Sequence, residues 1–169
     1  MEWKGVYKTM ERTELFAQLM DSLFSFSQVS GRNQNMPRTY GTDDMLYMAE
    51  VHLIRDIANY DGVTITQLAS INQKSKSAMS QLIDKLLQKG LVKKEKHPDG
   101  NRQVAIYLTE KGDTINKFHA RLDEQEYNKL LSKLGGYSDE DFRKFIDLLN
   151  FLNIGSEKAI RSKTRRYSL

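Results

Sequence analysis

Between Ser75 and Gly90 the stretch SKSAMSQLIDKLLQKG carries two marked ends and a single apolar stripe. Ser75 offers a hydroxyl that can accept from the orphan N–H groups of a first helical turn, and Gly90 suits the left-handed position just past a helix end. Within these limits Met79, Leu82, Ile83, Leu86 and Leu87 recur at helical spacing. Lys76, Ser77, Ser80, Gln81, Asp84, Lys85, Gln88 and Lys89 take the remaining positions. One face of this helix needs a core. The other is short, polar and basic, and its side chains can hydrogen-bond base edges and phosphates in a major groove. On an isolated amphipathic helix such a face is ordinary solvated surface, so the neighbouring segments decide its meaning.

Upstream, Met48, Val51, His52, Ile54, Arg55 and Ile57 lie on a helix expected to stop near Asp61-Gly62. Thr64 and Gln67 then form a Thr-x-x-Gln capping box in front of Leu68, Ala69 and Ile71. Asn72 to Lys74 is a brief linker to Ser75. Two short helices in this order, the second longer and polar on one side, make a helix-turn-helix. Downstream, Leu91 to His97 and Gln103 to Leu108 carry the β-formers Val92, Val104, Ile106 and Tyr107, joined by the turn-forming Pro98-Asp99-Gly100-Asn101. Lys94, Lys96, His97 and Arg102 flank the hairpin tip. A basic tip directly after a helix-turn-helix is placed to touch phosphates or the adjacent minor groove.

Helical patterns flank this centre. Met1 to Met10 reads as an extended lead-in, and Glu11 to Ser30 carries Leu15, Phe16, Leu19, Met20, Leu23, Phe24 and Phe26, a stripe wider than one core contact requires. Two readings fit it: burial against both its own domain and a second chain, or a central core helix. Gly31 to Asp44, with Pro37 and Gly41, reads as a loop. Thr109 caps a helix running through Ile115, Phe118, Leu122, Tyr127, Leu130 and Leu131 to the Gly135-Gly136 break. Ser138 caps the last helix, where Phe142, Phe145, Ile146, Leu149 and Leu152 form a stripe that Leu148 and Phe151 widen, with Gly155 as its expected end. The tail, 156–169, sets five cations against Glu157 and reads as a solubilising end or a helix extension that adds phosphate contacts. The fold class is therefore mainly α with a small β wing: a winged helix-turn-helix over 46–108, helices over 10–31 and 109–155 around it, and the basic tail, all in one integrated domain.

The 169 residues suit one domain. Their net charge of +4 permits a polyanionic partner without demanding one, but its distribution says more. From Lys74 to Lys96 there are seven lysines against two acids, whereas Asp123, Glu124, Glu126, Asp139, Glu140, Asp141 and Asp147 make the later helices acidic. The chain has no cysteine, so disulfides and thiolate metal sites are excluded, in keeping with a cytoplasmic protein. No apolar run approaches membrane-spanning length, so no membrane partner is expected. His52, His97 and His119 match no standard metal spacing; a zinc site would need His52 and His119 to meet with a carboxylate such as Glu50 or Asp123. There is no phosphate-cradling glycine loop, nucleophile elbow or HExxH, so an enzyme is not expected, and no cofactor is.

In its order of parts the chain resembles the MarR family of bacterial transcriptional regulators. VTITQLA resembles that family's helix start, KSKSAMSQLIDKLLQKGLV its recognition helix running into the wing, and RQVAIYLTEKG its returning wing strand and next helix. The resemblance covers Gly62 to Gly112. It implies a homodimer that binds double-stranded DNA at a pseudo-palindromic operator, is commonly a repressor, and is often released by a small-molecule effector. It also implies that the first and last helices interlock across the dimer, through Leu15, Leu19, Leu23, Phe145, Leu148, Leu149, Phe151 and Leu152. The family's wing arginine falls on Arg102; where the family usually has an aspartate two residues earlier, this chain has Gly100, with Asp99 one position before it. On this reading Ser75, Ser77, Ser80 and Gln81 face the DNA, Lys76 and Lys85 contact phosphates, and Asn101 and Arg102 reach the minor groove. The competing reading is a winged-helix module that binds protein without specific DNA binding.

Overall fold

A computed structural model describes residues 10–96 and 104–166, the side chains of Asn33 and of 154–166 excepted. The chain groups into two compact units, Met1–Leu122 and Asp123–Leu169.

In the first unit, helix α1 spans Arg12–Gln34. It continues through Gly31, where the sequence suggests a loop. A single glycine costs only roughly 1 kcal/mol against alanine, and Arg32 favours the negative end of the helix dipole. Pro37 explains the stop, because it disfavours helical geometry at Met36. In the following segment Arg38 and Leu46 exchange backbone hydrogen bonds of 2.9 Å, and Tyr40 and Leu46 enter the core. Helix α2, Met48–Asn59, buries Val51, Leu53, Ile54 and Ile57. It ends as expected before Gly62, which turns the chain at φ 67°.

Strand β1 is only Val63–Thr64. Thr64 then starts α3, Ile65–Ile71, with the anticipated capping box: the Gln67 N–H donates to Thr64 Oγ1 (3.3 Å) and the Thr64 N–H to Gln67 Oε1 (2.8 Å). Asn72 and Gln73 make the turn into α4, Lys76–Gln88, where the Ala78 N–H donates to the Ser75 hydroxyl at 3.1 Å. Gly90, at φ 66°, closes the helix. Met79, Ile83 and Leu86 are wholly buried, and each such side chain contributes about 1.5–3 kcal/mol of hydrophobic stabilisation.

Strands β2 (Val92–Lys96) and β3 (Val104–Leu108) pair antiparallel from Val92↔Leu108 to Lys96↔Val104. The expected turn at Pro98-Asn101 lies outside the described residues. β1 adds a third strand, in the order β1-β3-β2, through Val63↔Ile106 and Thr64↔Ala105. Two residues are too short to show strand alternation, so the sequence gives no sign of β1. Helix α5, Glu110–Leu131, begins where the Gly112 N–H donates to the Thr109 hydroxyl at 3.1 Å.

In the second unit, helix α6 spans Asp139–Arg166. Ser138 and Asp141 cap it reciprocally: the Asp141 N–H donates to Ser138 Oγ (3.2 Å) and the Ser138 N–H to Asp141 Oδ2 (2.8 Å). The helix passes through Gly155, contrary to the expected end there. A lone glycine is a weak breaker, and the segment beyond it, SEKAIRSKTRR, contains no proline and is rich in helix formers. The basic tail is thus helical to Arg166.

Candidate nucleic-acid interface

Burial of one side of α4 turns the other outward. Opposite Met79, Ile83 and Leu86, the side chains of Lys76, Ser77, Gln81, Lys85 and Gln88 are exposed and Ser80 is half-buried. Ser75 is exposed as well, although its hydroxyl is engaged in capping. One residue that sequence reasoning did not place in the site shares this face. Asp84 follows Gln81 by three positions, is exposed, and accepts from Lys94 Nζ of β2 at 3.2 Å. Its helical spacing was the available signal. Through this pair the outer face of α4 is tied to the wing.

The basic segment is less free than its lysine count suggests. Lys93 pairs with Glu95 at 2.7 Å, Lys94 with Asp84, and Lys89 with Glu50 at 2.7 Å. Lys76 and Lys85, by contrast, make no ion pair among the described residues. Asn101 and Arg102 lie outside the described residues, as does His97.

At the other end of α4 the bonds are dense. Lys89 Nζ donates to Glu50 Oε1 at 2.7 Å and to the Met45 carbonyl at 3.0 Å. The second carboxylate oxygen of Glu50 accepts the Tyr47 N–H at 2.9 Å, capping α2. Lys111 of α5 donates to the Lys89 carbonyl at 3.1 Å and to Asp44, and Thr109 donates to the Gly90 carbonyl at 2.7 Å. Lys111 therefore puts a cation on the negative end of the α4 dipole. The hydrogen bond from the Lys111 ammonium, aided by one from Thr42, holds the Asp44 carboxyl below its ordinary pKa against the opposing effect of burial.

The helices expected at a dimer interface carry exposed apolar side chains. None of the described side chains of α1 is buried: Leu15 is exposed, Leu19 and Leu23 are half-buried, and Phe16, Phe24 and Phe26 are exposed. In α6, Phe145 and Phe151 are exposed and Leu148, Leu149 and Leu152 half-buried. Leu134, Tyr137, Asp141, Phe142 and Phe145 also line an apolar cleft of about 360 Å³ within the second unit. His52 and His119 do meet, but as stacked rings with centroids 5.5 Å apart and Tyr40 edge-on to His119. Both Glu50 oxygens are committed elsewhere, and no group of three potential metal ligands is found among the described residues. Nor is any described helix long and apolar enough to cross a membrane.

The winged segment can be compared with known proteins. The MarR family model matches residues 46–104, which run from the start of α2 into β3. Over this segment, about a third of the chain, the sequence is similar to the MarR family. Over 114 residues it is 24% identical to the HTH-type transcriptional regulator YhjH of Bacillus subtilis, a match that spans 65% of this chain and 65% of that protein. Among solved MarR-like structures, Streptococcus pneumoniae FabT in complex with DNA superposes with a TM-score of 0.64 at 21% identity, covering 87% of this chain and 99% of that one. The zinc-responsive MarR family member ZitR of Lactococcus lactis gives a TM-score of 0.63 at 20% identity, over 83% and 98%. At these identities the structural likeness is one of fold: a MarR-like winged helix, mostly helical with a three-stranded antiparallel sheet.

Proposed function

We propose that this chain is a sequence-specific, double-stranded-DNA-binding transcriptional regulator that works as a homodimer on a pseudo-palindromic operator, as a repressor released by a small-molecule effector. One observation carries the reading: Ser77, Ser80, Gln81 and Lys85 stand on the outer face of a helix that buries Met79, Ile83 and Leu86 on its inner face, within the segment that the MarR family model matches. FabT, of similar fold, was solved in complex with DNA, which supports DNA as the partner here. Serine and glutamine then supply direct readout in the major groove, and Lys76 and Lys85 the salt-dependent affinity for phosphates. Asn101 and Arg102 are assigned to the minor groove beside each half-site.

The dimer reading rests on the exposed apolar side chains of α1, Phe16, Met20, Phe24, Phe26 and Val29, and of α6, Phe145, Ile146 and Phe151, because exposed apolar patches mark interaction sites. Two-fold symmetry would set the half-sites about one helical turn, roughly 34 Å, apart. ZitR, of similar fold, is zinc-responsive, which favours an effector in general without making zinc the effector here.

A pair of substitutions tests the assignment. Gln81→Ala should change which sequences are preferred, by about 1–3 kcal/mol at the base pair it reads. Lys85→Ala should weaken all duplexes alike and lower the salt slope by about one. Equal effects of both variants on every duplex would refute the division of roles.

A further inference from the structure

At the C-terminal end of α4, four hydrogen bonds tie Lys89 and Gly90 to neighbouring elements. We infer that Lys89, held by Glu50 and seconded by Lys111, is a positioning residue for DNA binding: it fixes the axis and rotation of α4 and does not itself touch the nucleic acid. This rests on the DNA-binding reading above.

Three features carry the inference. Lys89 sits in the lysine-rich segment, yet its ammonium is 2.7 Å from a carboxylate whose side chain is only 5% exposed. Swinging it toward a phosphate would leave that carboxylate buried and unpaired. Secondly, Lys89 is gripped from both sides, with its ammonium on Glu50 and the Met45 carbonyl and its own carbonyl on Lys111. Such bonds are directional, whereas the apolar contacts of Met79, Ile83 and Leu86 resist removal of the helix from the core but have no preferred direction. Thirdly, the partners come from separate elements. Glu50 is on α2, Lys111 on α5, and Asp44 and Met45 lie in the segment between α1 and α2. The end of α4 is therefore indexed to three parts of the winged unit at once.

Two measurements on the full-length chain test this, one without DNA. In the free protein, Lys89→Gln should speed amide hydrogen exchange over residues 85–91, and Lys89→Arg, which keeps the cation, should restore protection. In anisotropy titrations with a duplex from the protein's own upstream region, Lys89→Gln should bind about tenfold more weakly, with the wild-type salt slope, and Lys89→Arg should recover the affinity. Lys111→Gln leaves the Lys89–Glu50 pair intact and should shift both readouts in the same direction, which covers the case of a poorly folded Lys89→Gln. The inference is overturned by unchanged exchange, by failure of arginine to rescue, or by a salt slope lowered by about one with equal weakening of all duplexes, the signature of a direct phosphate contact. If exchange responds as described while the wild type prefers no duplex, the anchor stands and the DNA-binding reading falls.

Discussion

Gly112 stands where a side chain has no room. A Cβ there would lie 2.1 Å from the Leu91 carbonyl oxygen and 3.1 Å from its carbon, and both are backbone atoms. Gly112→Ala must therefore push α5 away from the start of the wing, at a cost of about 1–3 kcal/mol or more, visible as a lower thermal midpoint. An unchanged midpoint would mean that the helix shifts freely, contrary to the observed contact. Gln73, in the turn between α3 and α4, has φ 50°, a left-handed conformation that costs an L-residue roughly 1–2 kcal/mol. Gln73→Gly should accordingly raise the urea midpoint, offset in part by glycine's freer unfolded chain, while Gln73→Val should lower it. At this scale the sequence was readable where chemistry is local. Ser75, Thr64 and Ser138 cap their helices as their residue types imply. The Lys89–Glu50 and Lys111–Asp44 pairs join residues 39 and 67 positions apart, and no local pattern announces them.

Helix ends and strands show where local signals fail. Gly31 and Gly155 both look like helix stops, and both lie inside helices, because one glycine is too weak to end a segment that its neighbours favour. β1 acquires its identity only from β3, a partner about forty residues away in sequence. The ionic pair that holds the segment before α2 to α5 gives a pH prediction. Because the Lys111 ammonium lowers the folded-state pKa of Asp44, the stabilisation is complete above the ordinary carboxylate pKa of about 3.9 and disappears as the pH falls through the lower folded value. Asp44→Asn should thus melt earlier than the wild type at neutral pH, by under about 1 kcal/mol for so exposed a lysine partner. The two melting curves should converge in strong acid. A difference that persists there would assign the effect to packing and not to charge.

For the molecule as a whole, α1 and α6 both carry exposed large apolar side chains among the described residues. The width of their apolar faces was legible in the sequence, and none of the described side chains of α1 is buried in the single chain. If a second copy covers these faces, Phe151→Asp, at a side chain 75% exposed in the single chain, should convert dimer to monomer in sedimentation. It should also abolish the concentration dependence of the wild-type melting temperature. In a true monomer the same substitution would be nearly silent. The central claim, that the outer face of α4 reads duplex DNA, is tested most directly by anisotropy of the wild-type protein on its own upstream duplex and on scrambled duplexes across a salt series. Tighter binding to the upstream duplex at every salt concentration, with a steep salt slope, is the expected result. Equal binding to all duplexes, or none to any, would contradict it.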